Sequence, residues 1–86
     1  MNKILIRINT RQRNILYAVL SSDGHMTMKE ISEKTGYSVR VIRYNMPTVI
    51  AWLKNGGVET EARPGHGYEF SFTRAAANAL AASLDT

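Results

Sequence analysis

The chain has 86 residues, 44% of them apolar, a net charge of +4 and no cysteine. This length predicts one small domain, and the apolar fraction excludes a disordered tail. The absence of cysteine excludes a disulfide framework and a thiolate zinc site. No apolar run approaches the roughly 20 residues of a membrane helix, and the opening "MNKILIRI", broken by Arg7, is too short for a signal peptide. We therefore expect a cytoplasmic protein that does not contact a membrane.

The charge is distributed unevenly along the chain. Residues 1–57 carry nine basic and three acidic side chains, whereas residues 58–86 carry two basic and four acidic ones. A nucleic acid is the obvious anionic partner for the cationic first part. Solubility is the alternative explanation, and a basic balance alone does not decide between the two.

The chain opens with alternating side chains at residues 3–8, which predict a short strand at a sheet edge. An apolar stripe then predicts a first helix over residues 11–21. Asn9 or Thr10 can cap it, and Gln12 stands where a capping box after Asn9 needs it. The stripe consists of Ile15, Leu16, Val19 and Leu20.

A second, shorter helix begins at a capping box formed by Thr27 and Glu30 and ends at Gly36, which suits a left-handed C-terminal cap. Ser38 is a new N-cap, and a third helix runs from Val39. Two helices joined by three or four residues that include glycine are typical of a helix-turn-helix.

Pro47 falls inside the third helix. It has no N–H to donate to the Arg43 carbonyl, and it disfavours helical backbone at Met46. We predict either a kink near Asn45 and Met46 or a break with Pro47 as the first residue of a new helix.

Alternation returns after Lys54 and predicts a β-hairpin over residues 58–72, with glutamates on its outer face. An alanine-rich stretch at residues 73–86, capped by Thr73, predicts a C-terminal helix. This helix could pack on the domain, mediate a dimer or lead into a further domain. We therefore divide the chain into a domain at 1–72 and a helix or linker at 73–86.

Over residues 11–72 the chain resembles winged helix-turn-helix domains of bacterial transcription regulators. It is most similar to those with the recognition-helix pattern S-x-x-T-[IV]-R-Y/R-D-[IL]-x-x-[IL]: sugar-operon regulators with phosphotransferase-regulated modules, biotin-repressor-type domains and WYL-type regulators. The matching residues are Thr27, Glu30, Ile31, Ser32, Gly36, Ser38, Ile42, Arg43, Tyr44, Met46 and Val49. The ending "GHGYEF" is similar to the G-x-G-Y-x-[LF] that closes the wing.

Three positions depart from this pattern: Val41 replaces the usual threonine, Asn45 replaces the usual aspartate, and Pro47 has no counterpart. The resemblance implies an α+β fold with a three-helix core and a C-terminal hairpin wing. It also implies sequence-specific binding of double-stranded DNA, as a transcriptional regulator or its DNA-binding domain, with the third helix in the major groove.

Helical geometry gives the third helix two faces. With Ile42 at the centre of the buried face, Arg40 and Tyr44 lie almost opposite, and Arg43 lies on the shoulder. The candidate DNA contacts of this helix are Ser38, Val39, Arg40, Arg43 and Tyr44. Arginine suits guanine because its paired donors match O6 and N7. A charged, solvated face is the alternative, although neither arginine has an acidic residue three or four positions away.

Supporting contacts are predicted outside this helix. Arg11 and Arg13 lie in the first turn of the first helix, where the dipole disfavours cations, so either they bind an anion or their placement has no function. The resemblance implies backbone contacts from Thr27 and Lys29, and a minor-groove contact from the wing-tip Arg63 with His66 beside it. His66 can equally be an exposed turn residue, and we expect His25 in a loop.

Motifs for catalysis, metal binding and nucleotide cofactors are absent, so we expect no enzyme activity, no cofactor, no metal and no small-molecule site. A homodimer is possible. Two functions other than duplex recognition remain to be considered. A winged helix can serve as a protein-interaction module, for which the acidic hairpin would be a contact surface. Single-stranded RNA binding would need an exposed aromatic platform, which this sequence does not show.

Overall fold

The computed structural model describes residues 6–85, and nothing is stated about the structure of residues 1–5 or 86. Four helices and one three-stranded antiparallel sheet form the α+β architecture of a winged helix-turn-helix domain, as predicted. No helix among residues 6–85 is long and apolar enough to cross a membrane. In chain order the elements are α1 (Thr10–Leu20), β1 (His25–Met26), α2 (Met28–Thr35), α3 (Val39–Asn55), β2 (Glu59–Arg63), β3 (Gly67–Ser71) and α4 (Arg74–Leu84).

The predicted helix caps are confirmed. Asn9 Oδ1 accepts from the Gln12 N–H at 2.8 Å, and Gln12 Oε1 accepts from the Asn9 N–H at 3.0 Å. Thr27 and Glu30 make the same reciprocal pair at the start of α2. Gly36 takes a φ of 79° as the C-cap of α2. These local devices separate α2 from α3 by a three-residue turn, which is the helix-turn-helix.

The core lies where the apolar stripes of α1, α2 and α3 meet, and its largest fully buried side chains are Ile15, Leu16, Val19, Ile31, Ile42, Met46, Val49 and Leu53. The C-terminal helix joins this core through buried Ala77 and Leu84. The Arg74 guanidinium donates to the Leu20 and Ser22 carbonyls at 2.6 and 2.8 Å, which holds α4 against the end of α1. Packing on the domain is therefore the role that α4 has here, while the division at residue 72 stays a prediction.

The sheet has the strand order β1-β3-β2. The hairpin was predicted, but β1 was not: His25, expected in a loop, pairs with Glu69, and Met26 pairs with Tyr68. The backbones approach closely at this junction, because a Cβ on Gly67 would lie 2.5 Å from the Met26 carbonyl oxygen. Glycine at this position therefore lets the wing close onto the start of α2.

The N-terminal strand predicted over residues 3–8 falls partly on residues 1–5, outside the described range. Its described part, residues 6–8, lies in no strand. Ile8 instead packs against the hydrophobic core immediately before the N-cap Asn9. The described part of this segment is thus used for packing before α1 and stays outside the three-stranded sheet.

The predicted break at Pro47 is wrong, because α3 runs without interruption from Val39 to Asn55. Proline inside a helix costs about 3 kcal/mol. Burial of one large apolar side chain contributes about 1.5–3 kcal/mol, and Ile42 and Met46 before the proline are buried on the same stripe as Val49 and Leu53 after it. Pro47 itself is exposed, so its ring lies on the solvent side of α3 and not in that stripe. The alternative of a kink within a continuous helix stays a prediction.

Candidate nucleic-acid interface

The first turns of α1 and α3 enclose a surface concavity of about 510 Å³. Its lining residues are Arg11, Arg40, Val41, Arg43, Tyr44 and Asn45. Four of these are predicted DNA contacts, three on α3 and one on α1. Tyr44 is 85% exposed, although it is a large aromatic side chain, and the three arginines are exposed as well. We call this feature the arginine concavity.

The positive charge of the arginine concavity is not neutralised by neighbouring carboxylates. Among residues 6–85 the ion pairs join Arg63 to Glu61 and Glu69, on the wing, and none involves Arg11, Arg40 or Arg43. A concave surface lined by one sign of charge concentrates the field that it presents to solvent. Three exposed cations around an aromatic ring therefore form a surface suited to a polyanion.

The floor of the concavity is a hydrogen-bonded link between α1 and α3. Asn45 is only 4% exposed. Its Nδ2 donates to the Val41 carbonyl at 2.8 Å, and its Oδ1 accepts from Gln12 Nε2 at 3.0 Å. Gln12 also closes the capping box of α1, so one glutamine ties the helix start that carries Arg11 to α3. Sequence reasoning missed this link, because its two side chains are 33 positions apart.

Ser38 and Val39 lie at the start of α3. The Ser38 hydroxyl accepts from the Val41 N–H at 3.2 Å, and it keeps its own proton to donate. Ser38 is exposed and Val39 half-buried, and neither lines the arginine concavity. The first N–H groups of a helix have no partner within it, so this end of α3 can donate to an anion.

The predicted contacts on α2 lie outside the concavity. Lys29 is exposed in the first turn, and Thr27 is half-buried as the N-cap. The Thr27 N–H donates to the Glu30 carboxylate at 2.8 Å, and this backbone hydrogen bond is the main reason that the pKa of Glu30 is lowered. A hydrogen bond from the Thr27 side chain lowers it further.

Arg13 is separated from Arg11 by the structure. It is half-buried, does not line the concavity, and has a buried Nε without a hydrogen-bond partner among the described residues. Its charge acts on Tyr17, whose hydroxyl donates to the Asp85 carboxylate. That hydrogen bond raises the pKa of Tyr17, and the nearby Arg13 partly opposes the shift. Arg13 thus belongs to the junction of α1 with α4.

The wing-tip residues also lie away from the concavity. Arg63 donates to Glu69 at 2.8 Å and lies 3.5 Å from a Glu61 oxygen, so two carboxylates offset its charge. His66 is exposed, and its carbonyl oxygen accepts from Nε2–H of His25 at 2.8 Å. His25 and Glu61 both pair with Glu69 across the sheet, which places all three side chains on one face. No three potential metal ligands cluster within residues 6–85.

Comparison with known families agrees with this architecture. A family model described as an HTH domain matches residues 11–69, which includes the helix-turn-helix and most of the wing. The chain belongs to this HTH domain family. Membership implies DNA binding by the helix-turn-helix, and domains of this family are typically not enzymes. Searches of curated proteins and of solved structures gave no significant match.

Proposed function

We propose that this HTH domain binds double-stranded DNA sequence-specifically, as a transcriptional regulator or its DNA-binding domain, with α3 in the major groove. The observation that carries the proposal is the arginine concavity, in which Arg40 and Arg43 lie beside exposed Tyr44 without a carboxylate partner among residues 6–85. Exposed arginines near the start of α3, which is the second helix of the helix-turn-helix, are suited to base edges. The similarity to sugar-operon, biotin-repressor-type and WYL-type regulators is part of this proposal.

The roles of the contacts follow from their chemistry. Arg40 and Arg43 each present two parallel donors to guanine O6 and N7, which is worth about 1–3 kcal/mol of discrimination per good pair. Tyr44 donates to a phosphate or packs on sugar. Contacts to the phosphate backbone, which position the protein without reading bases, come from donors near the helix starts and at the wing tip. They are Arg11, Thr27, Lys29, Ser38 and the backbone at Val39, with Arg13, Arg63 and His66 as the weaker candidates.

Binding in cells would involve more than one copy of this module, either as a homodimer or within a longer regulator. A single module of this size buries only about 600–1,000 Å² of protein surface on DNA. Two copies also read two half-sites, which raises the specificity that one α3 supplies.

The test compares duplexes and variants. A preferred site is first selected from a randomised duplex library, and affinities for that site and for random DNA are measured by fluorescence titration. Arg40→Ala and Arg43→Ala should each weaken binding to the preferred site by about 5- to 150-fold, and weaken binding to random DNA less. Lys54→Ala, an exposed change in the last turn of α3, is the control. Equal losses on both duplexes would make the arginines phosphate contacts, and no affinity for any duplex at low salt would reject DNA binding.

A protein-interaction role is the second candidate, because the outer face of the wing is acidic. Glu59, Glu61 and Glu69 carry three negative charges there, and within residues 6–85 their ion pairs are those of Glu61 and Glu69 with Arg63. Salt dependence separates the two functions. Phosphate binding gives a logarithm of affinity that falls linearly with the logarithm of salt concentration. A flat response would favour the protein-interaction role.

A further inference from the structure

Val41 is an apolar side chain placed at a polar surface. It is half-buried and lines the arginine concavity beside Arg40 and Tyr44. Partly buried apolar residues elsewhere on α3, such as Ile50 and Trp52, pack against the hydrophobic core, but within residues 6–85 Val41 is not among those that do. The valine methyl groups therefore meet the space where a ligand of the concavity would lie.

Helix formation does not explain this valine. A β-branched side chain loses rotamer freedom in a helix, and alanine or leucine would favour α3 more at a partly exposed position. Val41 does not pack on the core, and it favours the helix less than alanine or leucine would. A contact with a molecule outside the chain explains this side chain better.

The polar neighbour of Val41 is not available to read a base. Asparagine recognises adenine with its amide donor and acceptor together. In Asn45 the donor is engaged by the Val41 carbonyl and the acceptor by Gln12, and the residue is 4% exposed. On this side of α3 the surface offered to a base edge is thus apolar.

From this arrangement we infer that Val41 is a specificity-determining residue that contacts the C5-methyl group of a pyrimidine in the major groove. Thymine carries this methyl group at the major-groove edge, and 5-methylcytosine carries the same group, so the chemistry is shared. Arg40 and Arg43 on either side of Val41 in sequence place the methyl group near guanines. This inference rests on the proposed DNA binding, and it adds a base identity that the arginines alone do not supply.

Uracil substitution is the sharpest test, because it removes the methyl group and nothing else. Each thymine of the selected site is replaced by uracil in turn, and the affinity is measured for the wild type and for Val41→Ala. One thymine per half-site should lose about fourfold in affinity when it is replaced, which is the effect of leaving one methyl group unburied. With Val41→Ala the thymine-to-uracil ratio at that position should fall towards one.

A cytosine series distinguishes the two sources of the methyl group. The same position is changed to a C·G pair, with and without a 5-methyl group. If methylation improves wild-type binding more than thymine improves it over uracil, the contact belongs to a methylated site; a smaller gain assigns it to thymine. Thermal melting of Val41→Ala checks that the variant is folded.

The negative outcomes are separable. A wild type that binds its selected site but does not distinguish uracil from thymine at any position overturns the role of Val41 and leaves DNA binding intact. A Val41→Ala variant with the wild-type ratio at the sensitive thymine overturns the assignment to this residue. If the wild type binds no duplex at low salt, the proposed function fails, and this inference fails with it.

Discussion

The molecule presents arginine in two contrasting ways. In the arginine concavity, Arg11, Arg40 and Arg43 come from two helices and have no carboxylate partner among residues 6–85. On the wing, Arg63 lies between Glu61 and Glu69 and is paired with Glu69 at 2.8 Å. The same side chain thus presents an open charge in one region and a compensated charge in the other.

This difference shows that the position of an arginine on a winged helix does not by itself decide whether its charge is free to attract DNA. The side chains of Arg63 and Glu69 are 51% and 44% exposed, so their ion pair stabilises the fold by only about 0–1 kcal/mol. Its larger effect is electrostatic, because it reduces the positive field of the wing tip. The concavity instead depends on a buried amide link, which contributes more to stability and leaves the arginine charges open.

The largest expected effect is that of cutting this buried link. Asn45→Ala removes the hydrogen bonds of the Asn45 side chain to the Val41 carbonyl and to Gln12. It leaves Gln12 Nε2 without its acceptor. The free energy of unfolding should fall by about 1–3 kcal/mol, because a polar group is left unsatisfied at a site of low exposure. Affinity for the preferred duplex should fall as well, since Arg11 is no longer held in register with α3.

Asn14→Ala is the matched control for this prediction. Asn14 Nδ2 donates to the Tyr37 hydroxyl at 2.7 Å in an exposed position, so its loss should cost less, about 0.5–1.5 kcal/mol or below. Chemical denaturation measures both variants. Equal destabilisation by the two changes would show that burial does not distinguish the Asn45 link from a surface hydrogen bond.

The next effect compares two arginines of the same helix turn. Arg11→Ala should lower affinity for preferred and random duplexes alike and reduce the slope of log affinity against log salt by about one, as expected for one lost phosphate contact. Arg13→Ala, beside Tyr17 and outside the concavity, should change that slope less. A larger change of slope for Arg13→Ala than for Arg11→Ala would contradict the assignment of Arg11 as the stronger phosphate contact.

The sequence predicted best what depends on nearby residues. Both capping boxes, the left-handed Gly36 and the Ser38 cap involve partners within four positions, so spacing alone indicates them. The strand β1 was missed because two residues carry no periodicity, and His25–Met26 becomes a strand only by pairing with β3. The Asn45 link was missed for the same reason, since it requires the packing of α1 on α3.

Two further differences arise from competition between local and tertiary effects. Pro47 locally favours a break, yet the buried stripe on both sides of it keeps α3 continuous. Arg63 was recognised as a wing-tip cation, and the glutamates were placed on the outer face of the hairpin. The contact of Arg63 with Glu69, however, depends on the strand register. Arg63 pairs with Gly67 across the hairpin, and Glu69 lies two residues further along β3 on the same face. Helical spacing, by contrast, was enough to place Arg40, Arg43 and Tyr44 on one polar face.

A smaller effect is expected when the wing-tip arginine is freed of its carboxylate partner, as the arginines of the concavity are within residues 6–85. Glu69→Gln removes the carboxylate nearest to Arg63 and should raise affinity for random duplex, because an open cation near the wing tip can then attract phosphate. Glu59→Gln is the matched control, since it removes one charge from the same face without a contact to Arg63. If both changes raise affinity equally, net charge explains the gain; a larger gain for Glu69→Gln supports the role of the ion pair.

The smallest expected effect is a difference between the two capping boxes in how their contribution to stability depends on pH. The box of α1, next to the concavity, uses the neutral Gln12, whereas that of α2, next to the wing, uses Glu30. The pKa of Glu30 is lowered from 4.5, mainly by the hydrogen bond from the Thr27 N–H. Because the carboxylate ionises more readily in the folded state, its ionisation stabilises the fold above about pH 4.5, and this contribution is lost as the pH falls through the lowered pKa.

Glu30→Gln keeps an acceptor for the Thr27 N–H and removes the titrating charge. The difference in unfolding free energy between wild type and Glu30→Gln should therefore be constant from pH 7 to about 5 and shrink below pH 4.5. Gln12→Glu is not a reciprocal control for this change, because it would also remove the Nε2 donor of the buried link to Asn45. A wild type and a Glu30→Gln variant whose stabilities fall in parallel down to pH 3 would show that this carboxylate does not carry the acid sensitivity of the wing side.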